Sequence, residues 1–259
     1  MDLAYTLHPA FLFFLLLLVV LLSAEVGFHF GRWIVRNREP GENTLFDVVE
    51  GGVLGLVGLI LAFSFSLAIT RFEDRQHLVV TEANAIDTAY LRASFLPATR
   101  RDALEGDLRE YLQTRLTLYQ TYRSTSAREP SLRESLALQE RMWKTVASAV
   151  NANPQNHAIQ LLAEAVNQTI DAGREQQAAL DNRVPGEIAA LLIVVAVVAA
   201  GLLGYGFGIN IAPRRVMTVI FCLLITMIVY TIFDLDRPQS GLITVNLGPL
   251  RSVAGAMSH

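Results

Sequence analysis

Four long apolar runs free of charged residues decide what this chain can become. Residues 9–24 carry no charge, and their apolar pattern continues past Glu25 to Gly31. Residues 51–70, 188–212 and 216–233 form uncharged runs of twenty, twenty-five and eighteen. A membrane helix needs about 20 mostly apolar residues to cross roughly 30 Å of hydrocarbon, so each run is expected to span. Charge gathers between them: 14 of the 21 basic and 16 of the 24 acidic residues lie in 71–187. The overall charged fraction is 17%, below the ~25% of ordinary soluble domains.

The first run also resembles the core of a secretory signal. However, Met1-Asp2-Leu3-Ala4-Tyr5 lacks a basic n-region, and Leu22 is large for the position three before a cut at Ala24. A retained helix is expected. No Lys or Arg precedes it, whereas Arg32, Arg36 and Arg38 follow at once, and the loop before the fourth run is Pro213-Arg214-Arg215. By the positive-inside rule both short loops face the cytoplasm, leaving residues 71–187 and both termini on the outer side of a bacterial inner membrane.

Within the polar block the spacing is helical. Leu104, Leu108, Tyr111, Leu112, Leu118, Tyr119 and Tyr122 recur at three- and four-residue steps. Ser131-Leu132-Arg133-Glu134 after Pro130 reads as a capping box. The helix it opens carries Leu136, Trp143, Val146 and Val150, and ends at Asn151-Ala152-Asn153-Pro154. A further helix carries Ile159, Leu162, Val166 and Ile170 toward Pro185, and 71–95 extends the second span without a breaker. The expected fold is an all-α membrane protein: four transmembrane helices with an inserted extramembrane bundle whose outer helices continue spans 2 and 3. Its divisions are residues 1–70, 71–187, 188–233 and a tail, 234–259, at the membrane face. Residues 241–247 alternate weakly and are expected to lie extended there.

Several function classes are poorly supported. A net charge of −3 with pI near 6 offers no basic stripe for nucleic acid. Cys222 is the only cysteine, so it forms neither an internal disulfide nor a thiolate cluster. The five histidines lack metal-ligand spacing, and no nucleophile elbow or phosphate loop is present. No enzyme activity, cofactor or metal is expected.

Polar groups in or beside the spans mark the candidate sites. Glu25 and His29 share a face of the first helix; counted from Ala10, Glu25 lies about 22 Å along a ~30 Å span. It is either an interfacial pair or a functional carboxylate. Asp47 and Glu50 enter the second helix from the same side. They complement the helix dipole, or, repeated around an oligomer, join Glu25 in an acidic vestibule. At the other boundary Arg71 and Arg75 are expected to pair with Asp234 and Asp236. The second span carries a small-residue stripe of Gly51, Gly55, Gly58, Ala62 and Ser66. Such a stripe lets helices approach closely. Packing within one chain is the expected use of Gly51 and Gly55, and meeting copies around an axis is the alternative. In the second case Phe63 or Phe65 forms a hydrophobic constriction. They lie about 200° apart on a helix, so only one can face the axis.

At this helix the sequence resembles a known family. Gly58-Leu59-Ile60-Leu61-Ala62-Phe63 followed by Arg71-Phe72-Glu73-Asp74 is similar to bacterial bestrophins. Glu82-Ala83-Asn84-Ala85-Ile86, Thr88-Ala89-Tyr90-Leu91-Arg92, Asn182-Arg183-Val184-Pro185 and Asp236-Arg237-Pro238 with Ser240-Gly241 resemble the bacterial bestrophin-like family, over residues 32–250. Bestrophins are pentameric anion channels whose second helix lines a narrow apolar neck. The resemblance therefore implies a homo-oligomeric ion channel in a lipid bilayer, a pentamer by analogy, with Phe63 and then Phe65 as the neck candidates; Ala62 and Ser66 of the stripe are the further pore candidates. Ser64 stands where an Arg is usual and Ile69 where a Tyr is usual, and no acidic calcium-clasp run is present. The alternative is a membrane-anchored sensor or interaction protein whose outer bundle binds a ligand or partner. Its inside loops are too short to carry an output of their own.

Overall fold

The computed structural model describes residues 9–37, 44–122, 125–182, 184–209, 215–237, 239 and 241–258, and their side chains except at 9, 44–47 and 125–127. Among these residues there are eight helices and no strand: α1 Pro9–Asn37, α2 Thr44–Ala93, α3 Ala98–Gln120, α4 Thr125–Ala152, α5 His157–Asp181, α6 Gly186–Ile209, α7 Arg215–Leu235 and α8 Gly248–Ala256. Contacts divide the chain into two compact units, Met1–Thr70 with Arg183–Arg237, and Arg71–Asn182 with Pro238–His259. Arg38, Pro213 and Arg214 of the two short loops, and Arg183, Pro238 and Ser240 of the matched motifs, lie outside the described residues, as does the Asp47 side chain.

The first unit holds the four apolar runs, now on α1, α2, α6 and α7, each long and apolar enough to cross a membrane. Large apolar side chains face outward, among them Phe14, Leu18 and Leu22 on α1 and Val219, Leu224 and Met227 on α7. In water such a surface would be unfavourable; in hydrocarbon it is the expected one. The most extensive helix pairing is α1 with α6, and its cause is a lack of side chains. A Cβ on Gly27 would stand 2.0 Å from the Gly201 carbonyl oxygen, and one on Gly204 would stand 1.9 Å from that of Ala24. Gly31 and Gly208 meet the facing backbone as closely, at 2.5 and 2.3 Å. The Ser23 hydroxyl donates to the Val197 carbonyl at 2.7 Å across this seam. Without a hydrophobic force between helices in lipid, backbone-to-backbone approach and polar contacts of this kind hold them together.

The second unit is built on the expected stripes. Leu104, Leu108, Tyr111, Leu112, Leu118, Tyr119 and Tyr122 are all buried, and all but Leu118 join Val79 and Ile86 of α2 with Leu162 and Val166 of α5 in one core. Three readings need correction. Helix α4 begins at Thr125, so Pro130 lies inside it and Ser131 is a buried helix residue rather than a cap. As the sixth residue of α4, Pro130 removes one backbone hydrogen bond, the N–H to the carbonyl four residues before it. The inward face of α4 is Leu138, Met142, Val146 and Ala149, while Leu136 and Trp143 are 50% and 43% exposed. Residues 241–247 are not the extended run expected: they bend over 241–243, Leu247 has φ −89° and ψ 9°, and α8 follows with Pro249 in its first turn. Leu250 and Met257 enter the bundle core. The Gln76 amide holds this non-helical stretch by donating to the Asn246 carbonyl (3.1 Å) and accepting from the Asn246 N–H (2.8 Å).

The continuation of span 2 is unbroken: α2 runs from Thr44 to Ala93. On the other side the bundle helix and span 3 are joined by a short non-helical link. Helix α5 ends at Asp181 and α6 starts at Gly186. Pro185 disfavours helical geometry at Val184, and both carboxylate oxygens of Asp236 accept the freed Val184 N–H at 3.1 Å.

Candidate pore-lining helix

Within the first unit, α2 has two unlike faces. Val57, Leu61 and Ala68 are buried, at the four- and seven-residue spacing of one helical stripe. Gly55, Gly58, Ala62, Phe63 and Ser66 are exposed. The expected use of Gly51 and Gly55 is packing within the chain. Instead, a Cβ on Gly51, Gly52, Gly55 or Gly58 would meet nothing within 4 Å among the described residues. Intramolecular glycine packing occurs, but on α1 and α6. Phe63 is 65% exposed on the open face, and Phe65, two residues on, is turned to the half-buried side. From Gly51 to Thr70 this face bears no charged side chain.

The acidic-vestibule candidates Glu50 of α2 and Glu25 of α1 have separate surroundings. Glu50 is half-buried, with its carboxylate against α6, where a Cβ on Gly206 would stand 2.5 Å from Oε2. Glu25 is exposed, pairs with His29 at 3.3 Å, and lines a cavity together with Arg215. Among the described residues no group of three His, Cys, Asp or Glu side chains is placed to hold a metal.

The four residues expected to pair at the other boundary are divided between the units. In one, Arg75 is buried and donates from Nε to the Ala179 carbonyl (3.2 Å) and from Nη2 to that of Asn182 (2.9 Å). It thereby satisfies carbonyls at the end of α5, where a cation also meets the negative end of the helix dipole. Arg71 is half-buried. In the other unit, Asp236 holds the link before α6, and Asp234 accepts from the Tyr230 hydroxyl at 3.3 Å. Both aspartates are buried.

The sequence profile of the Bestrophin-like domain matches residues 17–250. The chain belongs to the Bestrophin-like family. No curated protein matches it. Among solved structures, two variants of a bacterial Bestrophin homologue from Klebsiella pneumoniae are 14% and 13% identical, with TM-scores of 0.69 and 0.68. The matches cover 94% and 93% of this chain and 95% and 94% of theirs. A variant of a structure described as a membrane protein is 15% identical, with 95% of each chain covered and a TM-score of 0.66. At such identities the likeness is one of fold.

In this Bestrophin-like protein the matched motifs are largely framework. Glu82 is fully buried and ion-paired to Arg115, and Ala83, Ile86 and Ala89 are core residues. The Tyr90 ring lies beneath the Arg109 guanidinium, 5.0 Å from its centroid, and its hydroxyl accepts from Arg109. Arg92 donates to the Leu161 carbonyl at 2.8 Å. Sequence reading missed the α1–α6 seam, although Ser23-x3-Gly27-x3-Gly31 shows the four-residue small spacing that could have revealed it.

Proposed function

We propose that this Bestrophin-like protein is a homo-oligomeric ion channel of the bacterial inner membrane in which α2 lines an apolar neck. One observation carries the reading: α2 presents an uncharged face of glycines, Ala62, Ser66 and an exposed Phe63, unmatched by any described neighbour at the glycines. Small residues permit close approach of like helices, and a ring of one Phe63 per subunit makes a constriction that sheds water. A neck without charge discriminates by size and desolvation rather than by sign. An acidic vestibule of Glu25, Asp47 and Glu50 would favour cations, so anion conduction by analogy with bestrophins is the finer claim.

Assembly is the first requirement. In a Cys222→Ser background, Gly55→Cys places a thiol on the open face, and oxidation in native membranes is expected to trap linked subunits. A product that stays monomeric under conditions that oxidise a control thiol pair would remove the shared axis. The outer bundle would then be the better candidate, as a ligand- or partner-binding sensor.

A further inference from the structure

A cavity of about 370 Å³ lies within the first unit, lined by α1, α6 and the start of α7. Its volume falls in the roughly 300–1,000 Å³ range of ligand sites. Leu18, Leu22 and Val219 line it and are exposed on the apolar exterior, so it opens toward lipid. Two opposite charges share it, Glu25 of α1 and Arg215, the first residue of α7. They do not form an ion pair, and so stand more than 4.0 Å apart. Glu25 is engaged by His29 at 3.3 Å, while no hydrogen bond or ion pair reaches Arg215 among the described residues.

The depth of the site follows from α7. Its 21 residues span about 31 Å at 1.5 Å per residue, close to the ~30 Å hydrocarbon thickness, so its first residue lies at the boundary. Sharing the cavity places Glu25 at the same level. Apolar walls open to acyl chains, with a cation and an anion at headgroup depth, match one kind of molecule. A free phosphate or other small anion has no use for the apolar walls. An anionic lipid satisfies Arg215 but meets Glu25 as a like charge. A headgroup with a phosphate and a primary ammonium joined by a two-carbon bridge satisfies both, because the ammonium donates hydrogen bonds that a carboxylate accepts.

We infer that this cavity is a binding site for phosphatidylethanolamine, with Arg215 on the phosphate, Glu25 on the ammonium, and the acyl chain along Leu18, Leu22 and Val219. Lipid occupancy here does not require that α2 conduct ions.

The test uses the full chain in detergent, stripped of lipid and offered equimolar phosphatidylethanolamine, phosphatidylglycerol and phosphatidylcholine, with bound lipid counted by native mass spectrometry. Phosphatidylethanolamine is expected to be retained best. Arg215→Gln should lower its occupancy about fivefold, the effect of one interfacial cation on a lipid phosphate, and Arg215→Lys should restore most of it. Glu25→Gln should erase the preference over phosphatidylglycerol while leaving phosphatidylglycerol binding intact. Thr218→Phe, which fills the cavity while leaving both charged side chains in the chain, should also expel the lipid, and it replaces Arg215→Gln if that variant is not recovered folded. The inference is overturned if the wild type holds phosphatidylglycerol at least as well, or if occupancy is unchanged in both Arg215→Gln and Thr218→Phe.

Discussion

Arg115 of α3 donates from Nε to the Glu82 carboxylate of α2 at 2.5 Å, with the two side chains 2% and 0% exposed. Around them, Arg115 Nη2 reaches the Gly173 carbonyl at 3.4 Å, the Tyr111 hydroxyl donates to Glu82 at 3.4 Å, and Gln139 donates to Tyr111 at 3.2 Å. Burial works against the Arg115 charge, but the Glu82 carboxylate outweighs it and holds the guanidinium protonated. Burial, reinforced by Glu82, pushes the Tyr111 phenol far above its ordinary range, so it remains a neutral donor. Removing one member of a buried pair strands the other charge, at about 3–5 kcal/mol. Glu82→Gln is therefore expected to lose that much stability in denaturant titrations. Glu82→Leu with Arg115→Met should lose clearly less than the sum of the two single changes, whereas a strictly additive pair would show that the contact is energetically idle.

The glycines divide into two classes with opposite expectations. Gly204→Val sets a branched side chain where a Cβ already stands 1.9 Å from the Ala24 carbonyl oxygen, and it should destabilise the protein by about 3 kcal/mol or more. Gly55→Ala enters open space and also gains roughly 1 kcal/mol of helix propensity in a helix interior. In detergent the subunit fold should tolerate Gly55→Ala, and any defect should appear in the fraction assembled. Equal thermal losses for the two variants would place both glycines in intramolecular packing.

Asp107 is titrated against its own burial. Desolvation raises its pKa above the ordinary aspartate value of 3.8, with Arg141 opposing the rise and Glu110 adding to it. A raised folded-state value means that the native protein holds the proton more tightly than the unfolded chain. The associated stability is complete below pH 3.8 and is lost as pH rises through the folded value. Asp107→Asn, which stays neutral, should be at least as stable as wild type at pH 7. Its advantage should shrink as the pH is lowered through the folded value and be gone below 3.8. An advantage that grows on acidification would mean that the Arg141 contact dominates.

Orientation rests on arginines in the two short loops. In a Cys222→Ser background, Ser126→Cys is expected to react with a membrane-impermeant thiol reagent in intact cells, and Asn37→Cys to be spared. The reverse labelling would place the bundle in the cytoplasm.

Period and polarity made the helices legible. Uncharged length marked all four spans, and the three- and four-residue steps of α3 identified its buried face because packing there follows hydrophobicity. Other features depended on contacts far apart in sequence. Glu82 reads as one more charge on an amphipathic helix until Arg115, 33 positions later, is folded against it. Asp236 looks like the end of a span, yet its task is to hold the backbone at Val184. The glycine stripe of α2 was visible, but whether a stripe meets its own chain or another copy depends on what stands opposite. Gly27 and Gly204 found backbone there, and Gly55 found none among the described residues.

Ion flux through proteoliposomes tests the channel most directly. Purified protein should release both halide and alkali-metal tracers at rates that can be compared with empty vesicles, which also settles the sign of the permeant ion. Phe63 is 65% exposed on the open face, so Phe63→Ala should widen and wet the neck and raise the flux. Phe65→Ala should leave flux near wild type while lowering stability by roughly 2 kcal/mol, the scale of a partly buried aromatic truncation. Flux above empty vesicles that rises specifically in Phe63→Ala is the result this account predicts. Flux indistinguishable from empty vesicles for wild type and both variants, in protein shown to be folded and assembled, would contradict it.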